Sequence, residues 1–223
     1  MMLFEYPKNT AFGRVLPKTK IYEHGKPSAA TKSLFVKHVE QIKWQYKLAP
    51  ETINIKSTKA VPEIQVFTLA LKEPTLKTDV LRCIDQAIAY PIIFELTFNN
   101  KVKAIAAYKR PNEADASKWV LGSYLESDWL PATTPRNPLP PALDLEALYA
   151  QLLKPLIALK ALPKESLQQQ MARLEQIRSK QRELEKCEAK LNKEKQFNRK
   201  VELNAVCRKI QQEIAYLETE GAE

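Results

Sequence analysis

The stretch PIIFELTFNNKVKAIAAYK, residues 91–109, decides the fold. Two apolar runs, PIIFELTF (91–98) and VKAIAAYK (102–109), flank the pair Asn99-Asn100. Asparagine tolerates the left-handed backbone of a tight turn, so this spacing predicts an antiparallel β-hairpin. Just upstream, DVLRCIDQAIAY (79–90) begins at a capping Thr78 or Asp79. It sets Val80, Leu81, Ile84 and Ile88 on one side and stops at Pro91, which predicts an amphipathic helix. Before that helix, EIQVFTLALK (63–72) alternates around Ile64, Val66, Leu69 and Leu71 and predicts a core strand. TINIK (52–56) reads as a further short strand. Downstream, RPNEADASK (110–118) is a loop and WVLGSYLESDWL (119–130) another strand. The order β-β-α-β-β-β is that of an α+β fold with a mainly antiparallel sheet and flanking helices.

Outward from this block the character of the chain changes. In residues 1–33, Pro7, Gly13, Pro17, Gly25 and Pro27 interrupt any long element, and LPKTKIYEHGK (16–26) reads as extended chain turning at His24-Gly25. Ser28 or Thr31 then caps a helix whose apolar stripe is Phe35, Val36, Val39, Ile42 and Tyr46, ended by Pro50. Its other face carries Lys32, Lys37, His38, Lys43 and Lys47. On the C-terminal side, PATTPRNPLPP (131–141) holds five prolines and reads as a stiff connector. Beyond it the chain reads as wholly helical, with a leucine face at 145–159 interrupted at Pro155. From Ser166 to Thr219 there is neither Gly nor Pro. A heptad-like seam (Leu167, Met171, Leu174, Ile177, Leu184, Leu191) is followed by a second stripe, Leu203, Val206, Cys207, Ile210, Ile214 and Leu217. The stripes fall out of phase across NKEKQFNRK (192–200), which predicts two antiparallel, coiled-coil-like helices. One unbroken helix would run about 80 Å and need a partner along its length. The expected organisation is an α+β domain over 1–130, a proline-rich connector over 131–142, and a helical region over 143–223 ending in a long hairpin.

Hydrophobic residues at 44% and charged residues at 27% are those of a globular chain, not a disordered one. No apolar run is long enough for a transmembrane helix, and the start, MMLFEYPKNT, lacks a secretory leader, so a cytoplasmic location is expected. Cys83, Cys187 and Cys207 form an odd, sparse set without a CxxC pair, which argues against a disulfide framework and a zinc ribbon. His24 and His38 lie in separate segments, which disfavours a histidine-based triad. The four glycines form no phosphate-binding loop. The net charge of +9 is concentrated at the ends of the chain. Residues 1–50 hold nine Lys/Arg against three Asp/Glu, and 151–223 hold fifteen against eleven, while 51–150 hold eleven against twelve. Basic ends favour polyanions such as nucleic acid, and they also serve plain solubility.

Three surfaces carry candidate chemistry. Asp85, Glu95 and Lys109, with Glu126 and Asp128 nearby in sequence, are the acids and the cation that a Mg²⁺-dependent nuclease would use. Pairing of the two hairpin strands places Glu95 and Lys109 within reach of each other. The usual acid-x-Lys signature is missing, and an interstrand salt bridge explains the same pair. Lys37, Lys43, Trp44 and Lys47 interleave an aromatic ring with ammonium groups, as single-stranded nucleic-acid surfaces do. The competing reading packs Trp44 on the sheet and leaves the lysines solvated. Leu184, Leu191, Leu203, Ile210 and Ile214 form a seam that binds a partner, joins two copies of this chain or closes on itself.

Five segments in order, KWQYKLAPETINI, EIQVFTLAL, VLRCIDQAIAYPIIFEL, AAYKR and KEKQFNRKVELN, resemble the bacterial and archaeal family catalogued as domain of unknown function four-three-nine-one. The resemblance runs from about Leu16 to Leu217. The family carries no assigned catalytic residues, so none transfers. What it implies is context: its members resemble companions of helicase and DNA-methyltransferase genes in restriction or anti-phage clusters. The expectation is therefore an accessory or adaptor protein of a DNA-defence assembly. Its partners would be a helicase or methyltransferase subunit, with DNA or RNA and self-association as further possibilities, and it would need no cofactor. The divergent nuclease, with Mg²⁺, is the alternative.

Overall fold

The Asn99-Asn100 hairpin forms with both asparagines left-handed, at φ 43° and 57°, as a two-residue turn between twisted strands requires. The computed structural model describes residues 3–112, 114–115 and 118–219. Two compact units emerge, Met1–Ile157 and Ala158–Glu223. The first contains β1 (Leu3–Glu5), a 3-10 turn (Lys8–Thr10), β2 (Ala11–Val15), α1 (Lys18–Gly25), α2 (Ala29–His38), β3 (Val39–Leu48), α3 (Pro50–Ile53) and β4 (Ile64–Leu71). It continues through α4 (Thr78–Ala87), β5 (Ile92–Phe98), β6 (Lys101–Pro111), β7 (Trp119–Glu126), β8 (Leu130–Pro131), β9 (Arg136–Pro138) and α5 (Leu145–Leu153). The second unit holds α6 (Leu167–Lys193) and α7 (Phe197–Thr219), an α-helical hairpin. The fold is α+β.

The main sheet has the order β2-β3-β4-β5-β6-β7, with β8 also paired to β6. Every pairing in it is antiparallel except β4–β5. Parallel neighbours need a crossover, and α4 supplies it. Val80, Leu81 and Ile84 of α4 are fully buried with Phe35 of α2 and Ile21 of α1 against Ile42, Phe67, Leu69, Phe94, Leu96 and Ile105 of the sheet. Near α1, Gly25 lies so close to Cys83 that a Cβ there would stand 2.6 Å from the Cys83 carbonyl oxygen, so glycine is required. β1 and β9 form a separate parallel ribbon.

Several elements differ from the sequence reading. The helix expected to run through Tyr46 ends at His38, although Ser28 caps it by accepting from the Thr31 N–H. Residues 39–48 instead form β3, rich in β-branched and aromatic residues. A bulge between Val39 and Gln41 breaks its two-residue period, so Val39 and Ile42, three apart, share the core face as they would on a helix. TINIK is not a strand: Pro50 starts the single turn α3, Asn54 ends it left-handed, and only Lys56 bridges, to Asp144. LPKTKIYEHGK contains α1 rather than extended chain. The proline-rich segment 131–141 is not a free connector, because β9 pairs with β1 inside the first unit. Prolines are tolerated there because the ribbon is short and open at its edges. The division between units falls after Ile157, since α5 belongs to the sheet unit. Cys187 and Cys207 are joined as a disulfide across the hairpin, their Cα atoms 6.1 Å apart, while Cys83 is free and buried.

Candidate functional site

α4 delivers Asp85 from its last turn to the helix-bearing face of the sheet, and β6 delivers Lys109 to the same place. Both side chains are about 3% exposed. Lys109 Nζ donates to the Asp85 backbone carbonyl at 2.6 Å and to that of Ile88, and lies 3.6 Å from Asp85 Oδ1. One ammonium therefore closes the C-terminus of α4 and faces a buried carboxylate. Tyr124 of β7 donates to Asp85 Oδ2 at 2.6 Å. Tyr149 of α5 donates to the Ala107 carbonyl at 2.7 Å and accepts from the Lys109 N–H at 3.1 Å. Burial pushes the Asp85 carboxyl up to about 6, against the pull of Lys109 and Tyr124. It pushes the Lys109 ammonium down and both tyrosine hydroxyls up.

Glu95 is elsewhere. On β5 its neighbours Phe94 and Leu96 face the helices, so strand alternation turns Glu95 to the opposite face. Its cross-strand partner is Ala104, not Lys109. Arg136 of β9 grips it with two parallel bonds of 2.7 and 2.8 Å and also donates to the Phe4 carbonyl at 2.9 Å. The Glu95 hydrogen bonds hold the Arg136 guanidinium above its ordinary pKa. Tyr6 belongs to this face, its ring 4.8 Å from that of Tyr46. Burial, then the Glu95 charge, raises its hydroxyl pKa, and Arg136 opposes the rise. The set Asp85, Glu95 and Lys109 is thus split between two faces, and each member is already paired. Among the described residues no three His, Cys, Asp or Glu side chains gather as a metal-ligand set. These residues do not fit Mg²⁺.

The second candidate surface is also divided. Trp44 sits on the helix-bearing face, stacked 6.0 Å from Phe67 and tilted against Phe12 at 4.2 Å, with its Nε1 donating to the Tyr46 carbonyl. Lys43, paired in register with Thr68, faces the other side. Lys47 is 2.6 Å from Glu51 and 3.3 Å from Glu63. Lys37 lies 3.9 Å from Glu73, whose same oxygen is 2.6 Å from His38 Nδ1.

In the second unit the seam closes on itself. Ile210 and Ile214 are buried with Ile177, Cys187 and Cys207, while Leu184, Leu191 and Leu203 pack on that cluster. Arg173, 3% exposed, clamps the other end of the hairpin. It binds Glu165 at 2.7 and 2.8 Å and donates to the Lys160 and Leu217 carbonyls.

A family model described as domain of unknown function (DUF4391) matches residues 4–214. The chain belongs to this family. No curated protein and no solved structure matches it. Among the described residues of this DUF4391 chain, no helix is long and apolar enough to cross a membrane. The reading from sequence named Asp85 and Lys109, which the structure pairs, and did not name Tyr124, Tyr149, Arg136 or Arg173. Arg136 stands alone among prolines, an isolated cation in an otherwise uncharged segment, and that was its one visible signal.

Proposed function

We propose that the protein is a non-catalytic accessory subunit of a restriction-type or anti-phage DNA-defence assembly, joining a helicase or DNA methyltransferase subunit and contacting nucleic acid. The observation that carries this reading is the second unit. Its apolar seam is consumed internally, so its exposed helix faces and charged turn are left for partners. The split of Asp85 and Lys109 from Glu95, each engaged with its own partner, speaks against the nuclease alternative. The partner class rests on the family's implied context.

Co-expression tests the reading. A tagged copy of this chain is produced with a helicase or a methyltransferase subunit of such an assembly, and the eluate is weighed by light scattering. A stoichiometric complex is expected, with no Mg²⁺-dependent strand scission by this chain alone. Failure of both partners to co-elute overturns the accessory role. Scission that requires Mg²⁺ and vanishes in folded Asp85→Asn restores the nuclease.

A further inference from the structure

The charge of the helical hairpin is segregated along its length. Residues 186–200 hold six basic side chains, Lys186, Lys190, Lys193, Lys195, Arg199 and Lys200, against Glu188 and Glu194. Residues 201–219 hold two basic side chains, Arg208 and Lys209, against three acidic ones, Glu202, Glu213 and Glu218. The six cations lie in the last turns of α6, the connecting turn and the first turn of α7, and all are exposed. None has a carboxylate within ion-pair distance among the described residues. Further along the hairpin several cations are used internally: Lys180 reaches Glu183 and Glu213, and Arg173 reaches Glu165.

The acid at the turn, Glu194, offsets one of these six charges without forming an ion pair. Glu194 Oε1 accepts from the backbone N–H groups of Lys195 and Gln196 at 2.8 and 2.9 Å. These bonds, with the nearby charges of Arg199 and Lys200, hold its carboxyl below the ordinary range. Glu194 is thus committed to shaping the turn. Beside it an open groove of about 510 Å³ has Leu203 and Val206 among its apolar lining and Lys190, Lys193 and Arg199 among its cations. Phe197, the first residue of α7, is 78% exposed between Lys195 and Arg199. Hairpin closure needs no aromatic at that position, since the seam is already filled.

We propose that this tip is a docking element for single-stranded nucleic acid, with Phe197 stacking on a base and the cations of α6 and α7 meeting the backbone phosphates. Unpaired cations alone would suit any polyanion. The exposed aromatic ring among them selects strands whose bases are unstacked and reachable. A duplex hides its base faces, and an acidic peptide has none to offer. The inference deepens the accessory reading by naming where its nucleic acid docks.

The test is fluorescence anisotropy of the full chain with labelled oligothymidylate, oligouridylate and a duplex of equal length, across a salt series. Both single strands should bind more tightly than the duplex, with log affinity falling by about 0.7 per phosphate contact per log unit of salt. Comparing the two single strands separates DNA from RNA as the source. Phe197→Ala should weaken single-strand binding about tenfold with the salt slope unchanged, the loss of one stacked base. Lys193→Ala with Arg199→Ala should lower the slope by about 1.4. These positions are exposed, so helical circular dichroism should not change. Absence of binding at low salt, a duplex preference, or Phe197→Ala without effect overturns the proposal. So does binding only to phosphatidylserine-containing vesicles or only to polyglutamate. Partner co-elution that survives the tip variants, alongside lost oligonucleotide binding, confines any failure to one of the two readings.

Discussion

Lys109 serves two structural ends at once, closing the carbonyl end of α4 and compensating the Asp85 carboxylate. Losing one member of a buried pair leaves an uncompensated charge, so Lys109→Met should cost about 3–5 kcal/mol near neutral pH. The pH dependence has a definite sign. Asp85 titrates at about 6 in the folded chain, above its ordinary 3.8. Between those values the folded state holds more protons than the unfolded state, so this group makes stability fall as pH rises and level off above about 6. Without Lys109 the carboxyl is pushed higher still, and the fall extends further. The gap in urea midpoint between Lys109→Met and wild type should therefore be wider near pH 7 than near pH 5. An equal gap at both would show that the ammonium acts only as a helix cap. Part of this was visible in the sequence, which marked Asp85 and Lys109 as residues of one region. It could not show that Glu95 faces away, because that depends on β5 packing Phe94 and Leu96 against α4. Nor could it show Arg136, which comes from 41 residues beyond Glu95 and meets it only once β9 is placed.

The elements that were read correctly are those whose local signal and tertiary environment agree. The Asn99-Asn100 hairpin carries its own turn, the α6–α7 pair its own phase shift, and α4 its apolar face of Val80, Leu81 and Ile84, although its N-cap is Lys77 without a side-chain bond rather than Thr78 or Asp79. β3 was misread because Phe35, Val39, Ile42 and Tyr46 satisfy a helical stripe. The bulge at Gln45 then places Trp44 and Tyr46 on opposite faces, where a regular strand would align them. Only pairing with β4 decides between the two states. The hairpin of the second unit, by contrast, is specified by its own sequence and is further closed by Cys187–Cys207, which are 20 residues apart. Constraining a loop of that length in the unfolded chain is worth about 3 kcal/mol in the chain-entropy model. Thermal unfolding followed by helical circular dichroism should then shift down on adding dithiothreitol. Cys207→Ser should start at the lower value and ignore the reductant. A wild-type curve indifferent to reductant would mean that the seam of Ile177, Ile210 and Ile214 carries the hairpin without help from the bond.

The division after Ile157 joins these two sets of effects into one expectation for the entire chain. Trp44, Trp119 and Trp129 are the three tryptophans, and all precede that division. Tryptophan fluorescence therefore reports the sheet unit alone. Much of the helical signal near 222 nm comes from α6 and α7, with 27 and 23 residues, against ten or fewer in each helix of the sheet unit. Each unit has its own apolar core, and chains built this way need not unfold in one step. Equilibrium unfolding in urea should accordingly give two curves that do not superimpose. Lys109→Met should move the fluorescence curve and leave the hairpin component of the dichroism where it was. Cys207→Ser should do the reverse, and the double variant should show both shifts at their single-variant size, as sites without shared partners do. Superimposed curves that move together in either variant would mean that the units unfold as one body. The accessory role proposed above would then reside in a single cooperative structure rather than in a hairpin that a partner or a nucleic acid can engage independently of the sheet.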